Sequence, residues 1–277
     1  MKIANGYDLM KYAKKHGLIL PAFNTTNLEM TFGIARGLNQ AHLPGYIQIS
    51  SNNLRLSDPE TIVYLTKKAL KNSDVPIGLH LDHGKSYEDV KACVDAGFTS
   101  IMIDASHLDY EDNIKEVAKA VEYCHFYSVP VEAELGCIGG KEDEDFNEAD
   151  SKTDPSMVKD FVERTGCDLL AVAVGNVHGL EAIPNVDLPL LKELVELSDV
   201  PLVMHGGSGI DFSIIQECRR LGLLKVNYGS DLRKAFITTF GEAYERNHNE
   251  TQVITYSLDA VQNVADTAEK LVKIINA

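Results

Sequence analysis

The chain has 277 residues and a formal net charge of −15, from 41 acidic and 26 basic side chains. A surface that acidic argues against nucleic acid or an anionic membrane as a partner. No apolar run approaches the ~20 residues that cross a bilayer. Residues Met1 to Gly6 carry no apolar signal core, so a cytoplasmic protein is expected. The five cysteines, Cys93, Cys124, Cys137, Cys167 and Cys218, form no CxxC pair and read as buried reduced thiols.

In chain order, the first apolar run is Leu18–Phe23, ending at Asn24. Met30, Ile34 and Leu38 fall at helical spacing within Leu28–Asn39. Tyr46–Ile49 is a second strand, running into Ser50, Ser51 and Asn52. Ser57-Asp58-Pro59-Glu60 starts a helix, with a cap followed by proline in the first turn. Pro76–Leu79 leads into His80, Asp82 and His83. A helix over Tyr87–Ala96 stops at Gly97, and Ser100–Ile103 ends at Asp104, Ser106 and His107. A helix over Glu111–Phe126 precedes the strand Val129–Glu134. A polar loop, Gly139–Thr153, then leads to a helix starting at Asp154-Pro155. Leu169–Val174 ends at Gly175, Asn176 and His178, and the helix Leu188–Leu197 follows. Val200–Met204 ends at His205-Gly206-Gly207-Ser208-Gly209, followed by the helix Phe212–Leu221. Leu223–Val226 ends at Asn227, Tyr228 and Ser230, and helices over Asp231–Tyr244 and Leu258–Ile275 close the chain.

Eight alternating strand–helix units imply a parallel sheet. An open doubly wound sheet would leave edge strands and more polar or missing units, and none is clearly missing. No Pro/Ser-rich linker divides the chain. Residues 1–277 are therefore expected to form one (β/α)8 TIM barrel, a fold that takes roughly 250 residues, with an extra C-terminal helix.

In such a barrel the carboxyl ends of all strands face one opening. Asn24, Ser50, Asp82, His83, Asp104, His107, Glu134, His178, His205, Ser208 and Asn227 would crowd around it. Of nine histidines, four follow strands directly and His80 sits just inside one. Three histidines from separate strands with an open position form a catalytic zinc pattern. His83, His178 and His205 are the choice, because each adjoins a glycine that lets the backbone come close to a ligand. His107 is the alternative ligand, His80 a supporting residue, and a mouth without metal the third reading.

Gly206-Gly207-Ser208-Gly209 and Asn227-Tyr228-Gly229-Ser230 lie where barrel enzymes often bind phosphate. Their backbone N–H groups and the following helix N-termini favour an anion. Gly139-Gly140-Lys141-Glu142-Asp143-Glu144-Asp145 reads either as a solvated charge run or as a lid hinged on its glycines, with Glu142 as general base. These parts suit carbon–carbon chemistry beside a carbonyl. A metal would polarise the carbonyl, Glu142 would move the carbon-bound proton, and Asp82 would move the hydroxyl proton. Lys225, inside the last strand, offers a Schiff base as the rival route.

From about Ala22 to Phe240 the sequence resembles the class II, zinc-dependent ketose-bisphosphate aldolases, especially those acting on fructose and tagatose bisphosphates. The resemblance rests on His80-Leu-Asp-His-Gly84, Ser100-Ile-Met-Ile-Asp-Ala-Ser-His107, Val131-Glu-Ala-Glu-Leu-Gly136, Gly139-Gly-Lys-Glu-Asp143, Gly175-Asn-Val-His-Gly179, His205-Gly-Gly-Ser-Gly209 and Lys225-Val-Asn227. It implies zinc at His83, His178 and His205, with Glu134 near an alternate metal position. It also implies Asp82 as the acid/base on the aldehyde-side hydroxyl and Glu142 as the proton carrier at the nucleophilic carbon. Gly179, Gly206, Ser208, Asn227 and Ser230 would hold dihydroxyacetone phosphate, with Asn227 near its reacting atoms as a catalytic residue. A monovalent cation, Na+ or K+, would lie beside Gly179 and Ser208. The partner would be a small phosphorylated sugar, and the assembly a homodimer or homotetramer.

Two departures stand out. The family's Asp-Pro-Arg segment, whose arginine binds the distal phosphate in a neighbouring subunit, is replaced by Glu250-Thr251-Gln252-Val253-Ile254-Thr255-Tyr256-Ser257. Gly229 stands where an acidic residue or alanine is common. A ketose 1-phosphate with another distal group, such as sulfofructose 1-phosphate, is therefore a second expectation beside a bisphosphate; Arg233, Arg246 and Arg55 are the candidate replacements. A barrel that binds zinc without catalysis, and a metal-dependent isomerase or epimerase, are the readings from other classes.

Overall fold

A computed structural model describes residues 2–142, 145–147, 151–180, 183–249 and 251–277; of residues 141, 142 and 145–147 only the backbone is described. The elements begin with α1 (Gly6–His16), β1 (Leu20–Asn24), α2 (Leu28–Ala41), β2 (Gly45–Ser50), α3 (Pro59–Ala69), β3 (Ile77–Gly84) and α4 (Tyr87–Ala96). They continue with β4 (Ser100–Ile103), α5 (Tyr110–Phe126), β5 (Val131–Leu135), β6 (Gly140–Glu142), β7 (Asp145–Asn147) and α6 (Pro155–Thr165). The last are β8 (Leu169–Val172), α7 (Leu188–Leu197), β9 (Leu202–Met204), α8 (Phe212–Leu221), β10 (Lys225–Tyr228), α9 (Ser230–Arg246) and α10 (Val253–Ile275).

Eight parallel strands close into a barrel in the order β1-β2-β3-β4-β5-β8-β9-β10, with β10 pairing back to β1. This is the expected (β/α)8 barrel. Helix starts follow their caps: Asp58, Ser86, Asp154 and Asp211 each accept a backbone N–H of the first turn. Strand alternation then sorts the core into two parts. Phe23, Ile47, Leu79, Ile101, Val131, Leu170 and Val226 face outward against the helices. Leu20, Tyr46, Met102, Leu169 and Val203 fill the lumen.

Before β1 stands a helix that was not expected, α1, which plugs the lumen from the amino-terminal side with Leu9, Met10 and Ala13. Fully burying a Leu or Met side chain contributes roughly 1.5–3 kcal/mol, enough to dock a short, lysine-rich helix. Two further corrections bear on the site. The polar stretch Gly139–Thr153 is not a plain loop: β6 and β7 pair as an antiparallel hairpin. The last barrel strand begins and ends two residues later than expected, so Asn227 and Tyr228 lie within β10. No helix among the described residues is long and apolar enough to cross a membrane. All five cysteines are buried free thiols.

Candidate active site and metal centre

Asp82 and His83 are neighbours on β3, so strict alternation would point them to opposite faces. The pairing of β3 with β4 shifts register between Leu81 and Gly84. His83 also takes φ 44°, a left-handed conformation uncommon outside glycine. This bulge lets the Asp82 carboxylate enter the lumen while the His83 ring swings over the mouth.

Asp82 is fully buried. Three side-chain amides converge on it: Asn24 Nδ2 at 2.8 Å and Gln48 Nε2 at 3.0 Å on Oδ2, and Asn227 Nδ2 at 2.9 Å on Oδ1. A carboxylate accepting from three directions is fixed in orientation. Because Asn227 donates to it, Asn227 Oδ1 is left as an acceptor; it is buried and has no hydrogen-bond partner among the described residues. Gln48 was not anticipated. A glutamine in an apolar strand, at the lumen-facing position two residues before Ser50, was the available signal.

His83, His178 and His205 come together from three strand ends, with one candidate ligand atom each, all within 4.8 Å of one another. His83 and His205 ring centroids are 4.7 Å apart, and His83 and His178 5.5 Å apart. Asp104 Oδ2 lies 2.6 Å from His83 Nδ1, and Glu132 Oε1 lies 2.8 Å from His205 Nε2. Carboxylates only accept, so those two ring nitrogens carry the protons. His83 Nε2 and His205 Nδ1, 2.9 Å apart, then present lone pairs to one another. Lone pairs at that distance repel unless a cation stands beside them. With the third imidazole, this donor set fits a zinc ion with an open fourth position, supported by carboxylates behind two of its ligands.

The electrostatics agree. Burial holds His205 below its usual pKa, outweighing the raising effect of its Glu132 bond, which favours the neutral ring a metal requires. Burial opposes the charge on Asp104, but the His83 and Ser106 bonds prevail and hold its carboxyl well below the usual range. Glu134 Oε2 lies 3.8 Å from His205 Nδ1. His83, Asp104 and Glu134 form a second group that could hold a metal. His107 belongs to neither group. It lines a neighbouring cleft with Lys85, Tyr87 and Lys119, which shares Asp104 with the histidine cluster.

The two glycine-rich loops expected to bind phosphate meet in part. Asn24, His178, Gly179, Gly206, Ser208, Asn227, Gly229 and Ser230 line one pocket. Three residues chosen from sequence do not. Tyr228 faces outward into the helix layer, 6.0 Å from the Phe23 ring, because β10 extends through it and alternation turns it away. Gly207 gives its N–H to the Asn227 carbonyl at 2.9 Å. Ser50 sits beside Asp82 in register and accepts from Asn53 Nδ2 at 3.1 Å. Arg233, one turn into α9, joins the pocket. A Cβ on Gly229 would stand 2.8 Å from Arg233 Nη2, so the missing side chain makes the room the guanidinium occupies.

Glu142 lies at the end of β6; its side chain is outside the described residues, as are Asp143 and Glu144 altogether. The base of its hairpin is fastened to a candidate ligand: the His178 N–H donates to the Gly139 carbonyl at 2.9 Å, and Gly140 bridges to His178. Lys225, the rival nucleophile, is buried below the histidines and donates to Glu132 Oε2 at 2.8 Å.

The family model described as fructose-bisphosphate aldolase class-II matches residues 4–277. Among solved structures, the chain is similar to the YdjI aldolase from Escherichia coli K12, with 30% identity, 98% of this chain and 97% of that one covered, and a TM-score of 0.86. It is also similar to a putative fructose-1,6-bisphosphate aldolase from Coccidioides immitis, with 28% identity, 98% and 96% covered, and a TM-score of 0.87. The fructose-bisphosphate aldolase of Campylobacter jejuni, 20% identical over 97% and 93% of the two chains, shares the fold with a TM-score of 0.76.

Proposed function

The chain belongs to the class II fructose-bisphosphate aldolase family, and from that premise we propose that this aldolase reversibly cleaves a ketose 1-phosphate or 1,6-bisphosphate into dihydroxyacetone phosphate and an aldehyde, with zinc held by His83, His178 and His205. The carrying observation is the 2.9 Å approach of His83 Nε2 and His205 Nδ1, each ring having a carboxylate on its other nitrogen, beside the triply anchored Asp82. Zinc, when bound, supplies a Lewis acid that polarises the ketose carbonyl and stabilises the negative charge that develops there.

The remaining work falls to side chains. Asp82 takes the proton from the hydroxyl next to the bond that breaks and returns it in the reverse direction. Its three amide partners hold the receiving oxygen in place, and Asn227 Oδ1 accepts from a substrate hydroxyl. Glu142 exchanges the proton at the nucleophilic carbon from the hairpin above. Glu134 offers an alternate metal position. The phosphate sits among Gly179, Gly206, Ser208, Gly229 and Ser230. There the N-cap of α9 is Gly229, which has no side chain to cap it, Ser208 Oγ accepts the Asp231 N–H at 3.4 Å, and Arg233 adds a formal positive charge. A monovalent cation, Na+ or K+, beside Gly179 and Ser208 would offset further charge.

We read the whole chain, 1–277, as one catalytic domain working in the cytoplasm. Ile237 and Tyr244 on α9, with Val253, Ile254 and Leu258 on α10, are exposed apolar side chains that support a homodimer or homotetramer.

The test is release of dihydroxyacetone phosphate from fructose 1,6-bisphosphate, tagatose 1,6-bisphosphate, fructose 1-phosphate and sulfofructose 1-phosphate, with and without chelator. Chelator-sensitive cleavage of any one supports the reading. Cleavage restricted to substrates without a distal phosphate assigns the altered sequence 250–257 to aldehyde specificity. A zinc-loaded protein that releases dihydroxyacetone phosphate from none of them removes the proposal.

A further inference from the structure

One layer below the candidate ligands, the lumen holds a polar row that the cleavage reaction does not use: Glu132 on β5, Lys225 on β10, His80 on β3 and Ser100 on β4. All four are buried. Glu132 divides its oxygens, Oε1 to His205 Nε2 at 2.8 Å and Oε2 to Lys225 Nζ at 2.8 Å. Lys225 Nζ also lies 3.4 Å from His80 Nε2, and His80 Nδ1 lies 2.8 Å from Ser100 Oγ.

We propose that Lys225 and Glu132 are a positioning pair that selects the tautomer of His205 and thereby presents its Nδ1 lone pair to the metal. The inference rests on the reading of His83, His178 and His205 as metal ligands. An ammonium only donates and a carboxylate only accepts, so the row has one direction. Lys225 donates to Glu132 and to His80. Glu132, with Oε2 taken, presents Oε1 to His205, whose Nε2 must carry the proton. Nδ1 is then a lone pair on the face turned to His83 Nε2. Stability does not explain the row, since apolar residues of the same volume commonly serve a buried interior as well as an ion pair does. The direction of the row does explain it.

Glu132→Gln makes the test specific. With Lys225 present, the amide must turn its oxygen to the ammonium and its NH2 to His205. Nε2 must then accept, and the proton moves to Nδ1, the nitrogen that faces the metal. Adding Lys225→Met frees the amide to turn back and offer its oxygen to His205. Zinc affinity, read by competition with a chromophoric chelator, is expected to fall about 10–100-fold in E132Q and to recover most of that loss in E132Q/K225M. The imidazole 15N shifts of metal-free protein should show His205 as the Nε2–H tautomer in the wild type, as Nδ1–H in E132Q, and as Nε2–H again in the double variant.

A wild-type protein with the proton on Nδ1, an E132Q variant with unchanged zinc affinity, or a double variant that recovers nothing would overturn the proposal. Circular dichroism checks folding. If E132Q alone does not fold, the wild-type tautomer and the double variant still decide. Wild-type protein that binds no zinc, yet keeps His205 as Nε2–H only while Glu132 is intact, supports tautomer selection and removes the zinc reading. Tight zinc binding with a tautomer indifferent to residue 132 does the reverse.

Discussion

Asp82 and Asn227 face one another across the barrel mouth, with the Asn227 amide nitrogen 2.9 Å from Asp82 Oδ1. The contact joins β3 to β10, 145 residues apart in sequence, and makes the proposed proton-transfer group and the proposed substrate-facing acceptor one rigid unit. Removing the charge while keeping the shape separates the two roles.

Asp82→Asn keeps the volume but has a single oxygen to meet donors from Asn24, Gln48 and Asn227. We expect kcat to fall by about 10²–10⁴, the range that positioned proton transfer contributes, with zinc content unchanged. Steady-state rates beside metal analysis check this. A loss smaller than tenfold would show that Asp82 is not the proton carrier.

Asp104→Ala removes the carboxylate behind His83. Zinc affinity should weaken by about 10–100-fold, whereas His107→Ala, in the neighbouring cleft, should bind zinc as the wild type does. Equal losses in both variants would return His107 to the ligand set.

Gly229→Ala places a methyl group 2.8 Å from Arg233 Nη2. The guanidinium is the far end of a flexible side chain, so stability should change by no more than about 0.5 kcal/mol. Substrate binding should suffer instead. A hydrogen bond to a charged group contributes about 1.5–3 kcal/mol, so KM is expected to rise about 10–100-fold in Arg233→Met and by a similar factor in Gly229→Ala. The double variant should add little to either. Full additivity of the two KM effects would mean that Gly229 does not act through Arg233.

Asp58, Asp154 and Asp211 cap α3, α6 and α8, and each carboxyl is held below its usual pKa by hydrogen bonds to backbone or side-chain donors of the first turn. A folded-state pKa lowered in this way contributes stability that is present above the unfolded value, about 3.9 for aspartate, and is lost as pH falls through the folded value. Asparagine caps comparably well and does not titrate. The triple variant D58N/D154N/D211N should therefore show a shallower fall in Tm between about pH 5 and pH 3 than the wild type. Parallel Tm curves over that range would count against the caps as the acid-sensitive element.

Much of this was legible in the sequence because the barrel repeats one signal: an apolar strand, polar residues at its carboxyl end, then an amphipathic helix. His83, His178 and His205 stood out for that reason. Glu132 did not, although Val131-Glu132-Ala133-Glu134 shows the pattern that marks it: two acids on one face of an otherwise apolar strand. Their alternation places both inside the lumen, where neither is a surface charge. Tyr228 misled for the converse reason. It sits beside Asn227 in sequence, but one residue along a strand is a change of face. The α1 plug was hidden because its few apolar residues, Leu9, Met10 and Ala13, are set among lysines and their partners come from distant strands. Arg233 was named only as a substitute for a missing arginine, since nothing local showed that Gly229 opens room for it.

The bridge between Gly140 and His178 ties two candidate site segments to one another. Gly140 takes φ +109°, and a Cβ there would stand 2.4 Å from the His178 carbonyl oxygen, so the contact depends on glycine. Glu142 is two residues further on, and an extended chain advances at most about 3.3–3.6 Å per residue. The backbone of Glu142 therefore stays within about 7 Å of a point tied to His178 for as long as the bridge holds. A side chain at Gly140 would break this bridge and release the backbone of β6 from His178, so the placement of Glu142 and that of a candidate metal ligand share one contact.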